Sequence, residues 1–304
     1  MAVAMSIFSE IFAGIMENAE SGRKVKKTRR REDGLLYCDV CGEPLETEMP
    51  EEIKALFPGK KTRPRMCRCD RKKADAEERI EKEQLAKNRI DAIRKDGLYS
   101  TLYVSCTFDH DDRRDERASR IARNYVSHFR EYSEGNAGMM FWGGVGTGKS
   151  YLAACIANAL IDRNYTVIMA PLQDIVADMT ANYNANRDSV LDRVETCDLL
   201  ILDDLGVERG TDYMYEHVYD LINTRYLAKK PMIVTTNLSP QQLESDPDIR
   251  KVRIYDRIKE NCQPIKVAGE SRRKGIAKGK AELFRRLLDA GEEDEWTGRN
   301  EDGS

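Results

Sequence analysis

The run Phe141-Trp142-Gly143-Gly144-Val145-Gly146-Thr147-Gly148-Lys149-Ser150 carries the densest chemistry in the chain. From Gly143 it fits G-x-x-x-x-G-K-[ST], a loop whose glycines let backbone N–H groups turn inward around phosphate oxygens. Lys149 then supplies a cation for β- and γ-phosphates, and Ser150 a hydroxyl ligand for Mg²⁺. Gly143, Gly144, Val145, Gly146, Thr147, Gly148, Lys149, Ser150 and Tyr151 form the expected ATP-binding stretch. A ligand-free glycine turn would show the same letters. It would not also require the apolar strand Met139–Trp142 before it and the helix-forming run Tyr151–Leu160 after it.

Three downstream stretches offer partners for that loop. Asp198–Gly206 reads as a buried strand ending in two acids. Asp203 is placed to hold Mg²⁺, and Asp204 to orient or deprotonate an attacking water. A solvated turn is the plain alternative. Pro231–Asn237 is a second apolar strand whose Asn237 would sit beside Asp204, unless it only caps the next helix. Arg250–Ile258 holds Arg250, Arg253 and Arg257, either a solvated helical face or a source of one guanidinium for a neighbour's γ-phosphate.

A second chemistry lies upstream. Cys38 and Cys41 form a CxxC pair followed by Gly42, and Cys67 and Cys69 form a CxC pair. These spacings suit tetrahedral zinc closed by four sulfurs, a structural rather than catalytic shell. A disulfide or unrelated thiols are the alternatives. Cys106, Cys155, Cys197 and Cys262 lie singly and read as reduced core thiols.

The elements that must position these groups follow from periodicity. Tyr165–Ala170 and Cys262–Val267 read as further strands. Leu172–Tyr183, Ser189–Val194 and Tyr213–Leu227 read as helices, an alternation that predicts a parallel α/β sheet. Ile121, Tyr125, Phe129 and Tyr132 mark an amphipathic helix before the loop strand, and Asp109–Arg117 a surface loop. Asp70–Lys95 is an exposed helix with Glu78/Lys82, Glu83/Lys87 and Asp91/Lys95 at i,i+4. Met5–Met16 places an apolar stripe on a short helix that packs on its own chain, a partner or a membrane surface. The basic run Arg23–Arg31 follows, a nucleic-acid contact or a solvated linker.

These stretches divide the 304 residues as follows: 1–34, amphipathic helix and basic tail; 35–70, zinc-binding domain; 71–97, charged linker; 98–280, ATPase domain; 281–304, helix end and acidic tail. A charged fraction of 34%, no apolar run of membrane-spanning length and no signal-peptide pattern lead us to expect a cytoplasmic protein without membrane contact.

WGGVGTGKS, LLILDDLG, LINTRY, IVTTNLS, RIYDRI and GESRRK, in that order over residues 98–280, resemble the DnaC/DnaI/IstB branch of the AAA+ ATPases. The resemblance implies a five-stranded parallel sheet flanked by helices, ATP at its carboxyl edge, and oligomers enclosing single-stranded DNA. It makes Asn237 the sensor 1 residue. It makes Arg257 the arginine finger, with Arg253 as second candidate, and Arg273 sensor 2, with Arg272 as its rival. It also implies one of two jobs: loading a replicative hexameric helicase onto DNA, or assisting a transposase as IstB members do. Zinc cysteines ahead of the ATPase resemble the loaders. A small-molecule kinase sharing only the loop would leave Asn237 and RIYDRI unexplained.

Overall fold

The computed structural model describes residues 28–181, 185–206 and 212–291. The stripe Met5–Met16, most of the basic run and the acidic tail lie outside them. The chain divides into two units, Met1–Ala86 and Lys87–Ser304.

In the first unit, β1 (Thr28–Arg30) pairs antiparallel with β2 (Leu36–Cys38), and β3 (Glu46–Glu48) with β4 (Thr62–Pro64). Helix α1 (Glu51–Lys54) lies in the second connection, and α2 (Arg68–Gly97) begins just after Cys67. The sequence starts this helix at Asp70; the observed start puts Cys69 in its first turn. Glu78 meets Lys82 at 2.6 Å as expected, whereas Glu83 meets Arg79 and Asp91 meets Arg94.

The second unit is built on a parallel sheet of β5 (Gly138–Trp142), β6 (Val167–Pro171), β7 (Leu199–Leu205), β8 (Met232–Thr236) and β9 (Cys262–Lys266). Their order across the sheet is β6-β7-β8-β5-β9. Helices cover both faces, so β5, β6, the first four residues of β7 and the first three of β8 are continuous apolar runs rather than alternating ones, whereas the edge strand β9 exposes Gln263, Pro264 and Lys266. Leu200, Leu202 and Val234 pack with α7 (Leu172–Thr180), α8 (Ala185–Thr196), α9 (Asp212–Leu227) and α11 (Ile249–Asn261). Leu199, Ile201, Ile233 and Phe141 point the other way, into residues of α4 (Glu116–Ser127) and α6 (Lys149–Ile161). Between α9 and α11, the short α10 (Pro240–Glu244) starts with a full capping box of Ser239 and Gln242.

Two local expectations need correction. The helix read through Ile121–Tyr132 is broken at His128 into α4 and α5 (Phe129–Glu134). The break lets Tyr125 stack on Tyr132 at 4.7 Å while meeting Phe129 edge-on at 5.7 Å. Asp109–Arg117 is not a simple surface loop. Asp111 is buried, with Arg123 and Arg272 each 3.9 Å from its carboxylate, and Asp115 caps α4 through the Ala118 N–H.

Candidate functional site

The glycine loop leaves β5 and enters α6 directly, so the first turn's free N–H groups face the loop. Gly143 has φ +147°, and a Cβ there would lie 2.4 Å from the Val267 carbonyl. At Gly146, with φ +80°, a Cβ would lie 2.2 Å from Ser271 Oγ. The backbone therefore packs where no side chain fits, and the Arg272 N–H donates to the Gly146 carbonyl at 2.9 Å. That bond seats the start of α12 (Arg272–Gly291) on the loop. Thr147 Oγ1 donates to the Gly144 carbonyl at 3.0 Å.

Lys149 is buried, and its Nζ donates to Gly144 O at 2.8 Å, Gly143 O at 3.2 Å and Asn237 Oδ1 at 2.7 Å. Asn237 stands just past β8, the strand between β5 and β7, which explains how residues 88 apart in sequence meet. Burial pulls the Lys149 pKa below its ordinary value, against the opposing pull of the Asp204 and Asp203 charges. This ammonium is held mainly by neutral oxygens, which suits it to a bound anion.

The acids lie at the end of β7, where pairing with β8 shifts register between Leu202 and Leu205. Successive strand residues face opposite sides, so Asp203 turns inward and Asp204 toward solvent. Asp203 is buried; Thr235 Oγ1 donates to its Oδ1 at 2.5 Å and the Tyr103 hydroxyl to its Oδ2 at 2.9 Å. Asp204 has φ +60°, a left-handed conformation that aspartate tolerates, and its N–H donates to Thr235 Oγ1 at 3.0 Å. Burial raises the Asp204 pKa, with the Asp203 charge adding to the shift. Thr235 thus binds both acids, a role its place inside an apolar strand did not reveal.

Of the arginines, Arg273 is exposed on α12 and its charge acts on both Lys149 and Asp204. Arg272 lies differently: its guanidinium reaches Asp112 at 2.6 Å and sits 5.2 Å from the Tyr151 ring. Arg257 is not among the groups around Lys149. It donates to Asn223 Oδ1 at 3.1 Å and to the Tyr219 hydroxyl at 2.8 Å, on the face of α11 toward α9. Arg253 lines a surface cleft of about 490 Å³ with Tyr215, Glu216, Tyr219 and Arg250.

In the first unit the sulfurs of Cys38, Cys41, Cys67 and Cys69 all lie within 4.8 Å of one another. A tetrahedron with Zn–S bonds of about 2.3 Å has edges of about 3.8 Å, so a small inward movement closes it. Gly42, at φ +70°, lets its N–H reach back to the Cys38 carbonyl at 2.8 Å. Glu43 joins the two halves, accepting from the Arg68 N–H at 2.5 Å and from Arg71 at 3.4 Å. Hydrogen bonding, first from Glu43, lowers the Cys41 thiol to about 6, and the bond with Cys41 pushes Cys69 up to about 11. The donor set suits a thiophilic cation. The other cysteines are free thiols as expected; Cys155, Cys197 and Cys262 are buried and Cys106 half-buried.

A glycine cradle, a buried lysine and paired acids on a parallel sheet define an ATP-binding AAA+ P-loop domain. Residues 105–280 match the family of IstB-like ATP binding proteins, and the chain belongs to that family. It is 26% identical to the replicative helicase loader DnaC of Escherichia coli K12 over 223 residues, 71% of this chain and 86% of that protein. To the DnaC of Buchnera aphidicola from Acyrthosiphon pisum it is 24% identical over 162 residues, 52% of this chain and 65% of that one. To the replicative helicase loader DnaI of Bacillus subtilis strain 168 it is 24% identical over 209 residues, 62% of this chain and 66% of that one.

Proposed function

We propose that this chain is an ATP-dependent loader that places a replicative hexameric helicase onto single-stranded DNA at the start of replication. The observation that carries the reading is an alignment with a named helicase loader over 71% of the chain, covering 86% of that loader. No helix among the described residues is long and apolar enough to cross a membrane, in keeping with work on DNA in the cytoplasm.

Each site residue has a task in this reading. Gly143–Tyr151 wrap the phosphates, and Lys149 exchanges its carbonyl partners for their charge. Ser150 and Asp203 hold Mg²⁺, which when bound neutralises charge on the phosphates. Asp204 orients or deprotonates the attacking water, and Asn237, already bonded to Lys149, sits where it can report phosphate occupancy. Arg273 acts on the same charge cluster from α12. Arg257 serves the site of a neighbouring copy in an oligomer formed on ATP and DNA. Its bonds to Asn223 and Tyr219 support this by holding the guanidinium ready on its helix. Cys38, Cys41, Cys67 and Cys69 hold one Zn²⁺ that shapes a surface for the helicase.

The test is reconstitution. The chain, captured with its host's replicative helicase, is expected to increase helicase bound to single-stranded DNA when ATP is present. Lys149→Ala is expected to remove nucleotide binding and loading together while the chain stays folded, as a cooperative melt would show. Capture of a transposase instead, or loading that ignores ATP, would overturn the proposal.

A further inference from the structure

Asp203 needs its carboxylate fixed if it is to present an oxygen to a metal, and one of its two fixing groups comes from far away in the sequence. Tyr103 belongs to α3 (Thr101–Val104), a single turn capped by Ser100 and lying 100 residues before Asp203. Its side chain belongs to the buried cluster that also holds Leu152, Ile156 and Met169, and its hydroxyl donates to Asp203 Oδ2.

The turn is itself anchored to the helix of the glycine loop. Asn158, buried in α6, donates through Nδ2 to the carbonyls of Tyr103 at 2.7 Å and Cys106 at 2.9 Å. Arg94 holds the amide's other end, Nε to Oδ1 at 3.3 Å. Nearer the loop, the Tyr151 hydroxyl donates to the Thr107 carbonyl at 2.8 Å. A run of hydrogen bonds therefore leads from the helix behind Lys149 and Ser150, through α3, to the carboxylate at the end of β7.

We propose that Tyr103 is a positioning residue for Asp203, setting the carboxylate's orientation and its distance from Ser150 so that the two ligate one divalent cation. With Thr235 on Oδ1 and Tyr103 on Oδ2, the carboxylate plane is fixed from both sides and each oxygen keeps a lone pair free. The idea rests on the assignment of Asp203 and Ser150 as metal ligands.

Tyr103→Phe keeps the ring and removes the donor. Binding of a fluorescent ATP analogue is titrated with Mg²⁺, and again in EDTA; Mn²⁺ binding to the protein–nucleotide complex is followed by electron paramagnetic resonance. The expected result is a roughly tenfold higher Mg²⁺ requirement and a broadened Mn²⁺ signal, the loss of one charge-assisted hydrogen bond. Metal-free nucleotide binding stays unchanged, which also shows that the variant is folded. An unchanged Mg²⁺ requirement overturns the proposal, and so does a lower one, which would make the hydroxyl a competitor of the metal. Wild-type binding indifferent to Mg²⁺ would instead overturn the ligand assignment itself.

Discussion

The two units solve the same problem with different means. Among residues 28–86 only Cys38 and Cys67 are buried core residues, while the unit beginning at Lys87 buries residues from Leu98 to Val267 on both faces of its sheet. The first unit exposes Val40 at 77% and Leu56 at 70%, and its strands are three residues long. So little apolar burial cannot offset the conformational entropy of its loops, whereas the larger core can. Four sulfurs drawn together are what remain to hold the small unit, and the difference supports the proposal that its fold rests on a bound metal while the ATPase fold does not.

Removing the metal is the strongest way to break the comparison. Structural zinc contributes about 10–16 kcal/mol of apparent binding energy in small domains, more than a unit of this size has to spare. Prolonged chelation, or Cys38→Ser, is expected to abolish protease protection of residues 28–86. The ATPase unit should keep its cooperative melt and its nucleotide affinity, because the oxygens that hold Lys149 belong to its own unit. Metal analysis is expected to find one zinc per chain; loss of ATP binding on chelation would end the claim of separate supports.

Arg225 offers the converse, a change confined to the large unit. It is fully buried and donates to the carbonyls of Val194, Cys197, Asp198 and Pro231 at 2.7 to 3.1 Å. Burial lowers its pKa, yet the fork geometry serves the end of α8 and the entries to β7 and β8 together. Arg225→Met leaves those carbonyls unpaired, and we expect a loss of about 3–5 kcal/mol. Differential scanning calorimetry should show the ATPase transition lowered by roughly 10 °C while zinc content stays at its wild-type value. Arg225→Lys should fall between, since an ammonium cannot span the same acceptors.

How far the sequence carried this reading follows from the same contrast. Four of the five strands were legible because burial on both faces writes a run of apolar residues, and the glycine loop because its backbone geometry admits few other residues. Motif order led us to expect Asn237 beside Asp204, and its bond to Lys149 was not foreseen. Tyr103, Thr235, Asn158 and Arg225 were not marked as site or support residues, because each acts through one hydroxyl, amide or guanidinium with a partner 28 or more residues away. Long-range polar contacts of that kind leave no period in the chain. Asp111 was misread for the related reason that charge predicts a surface until an arginine is known to face it.

The smallest expected effect sharpens the comparison within the large unit, at Asp115. One carboxylate oxygen accepts from the Ala118 N–H at 2.9 Å and caps α4, and the other accepts from the Ala268 N–H at 2.7 Å. The second bond ties the chain just after β9 to the start of α4, four residues before the arginine whose N–H meets Gly146. Asp115→Ala removes both and is expected to cost about 2 kcal/mol. Asp115→Asn separates them, since its amide oxygen can still cap α4 while its NH₂ cannot accept from Ala268. We therefore expect Asp115→Asn to cost about 1 kcal/mol and to recover only the cap. Denaturant melts of both variants, read beside nucleotide affinity, check this. If Asn loses as much as Ala, the cap contributes nothing, and the tie to residue 268 alone holds this edge of the site.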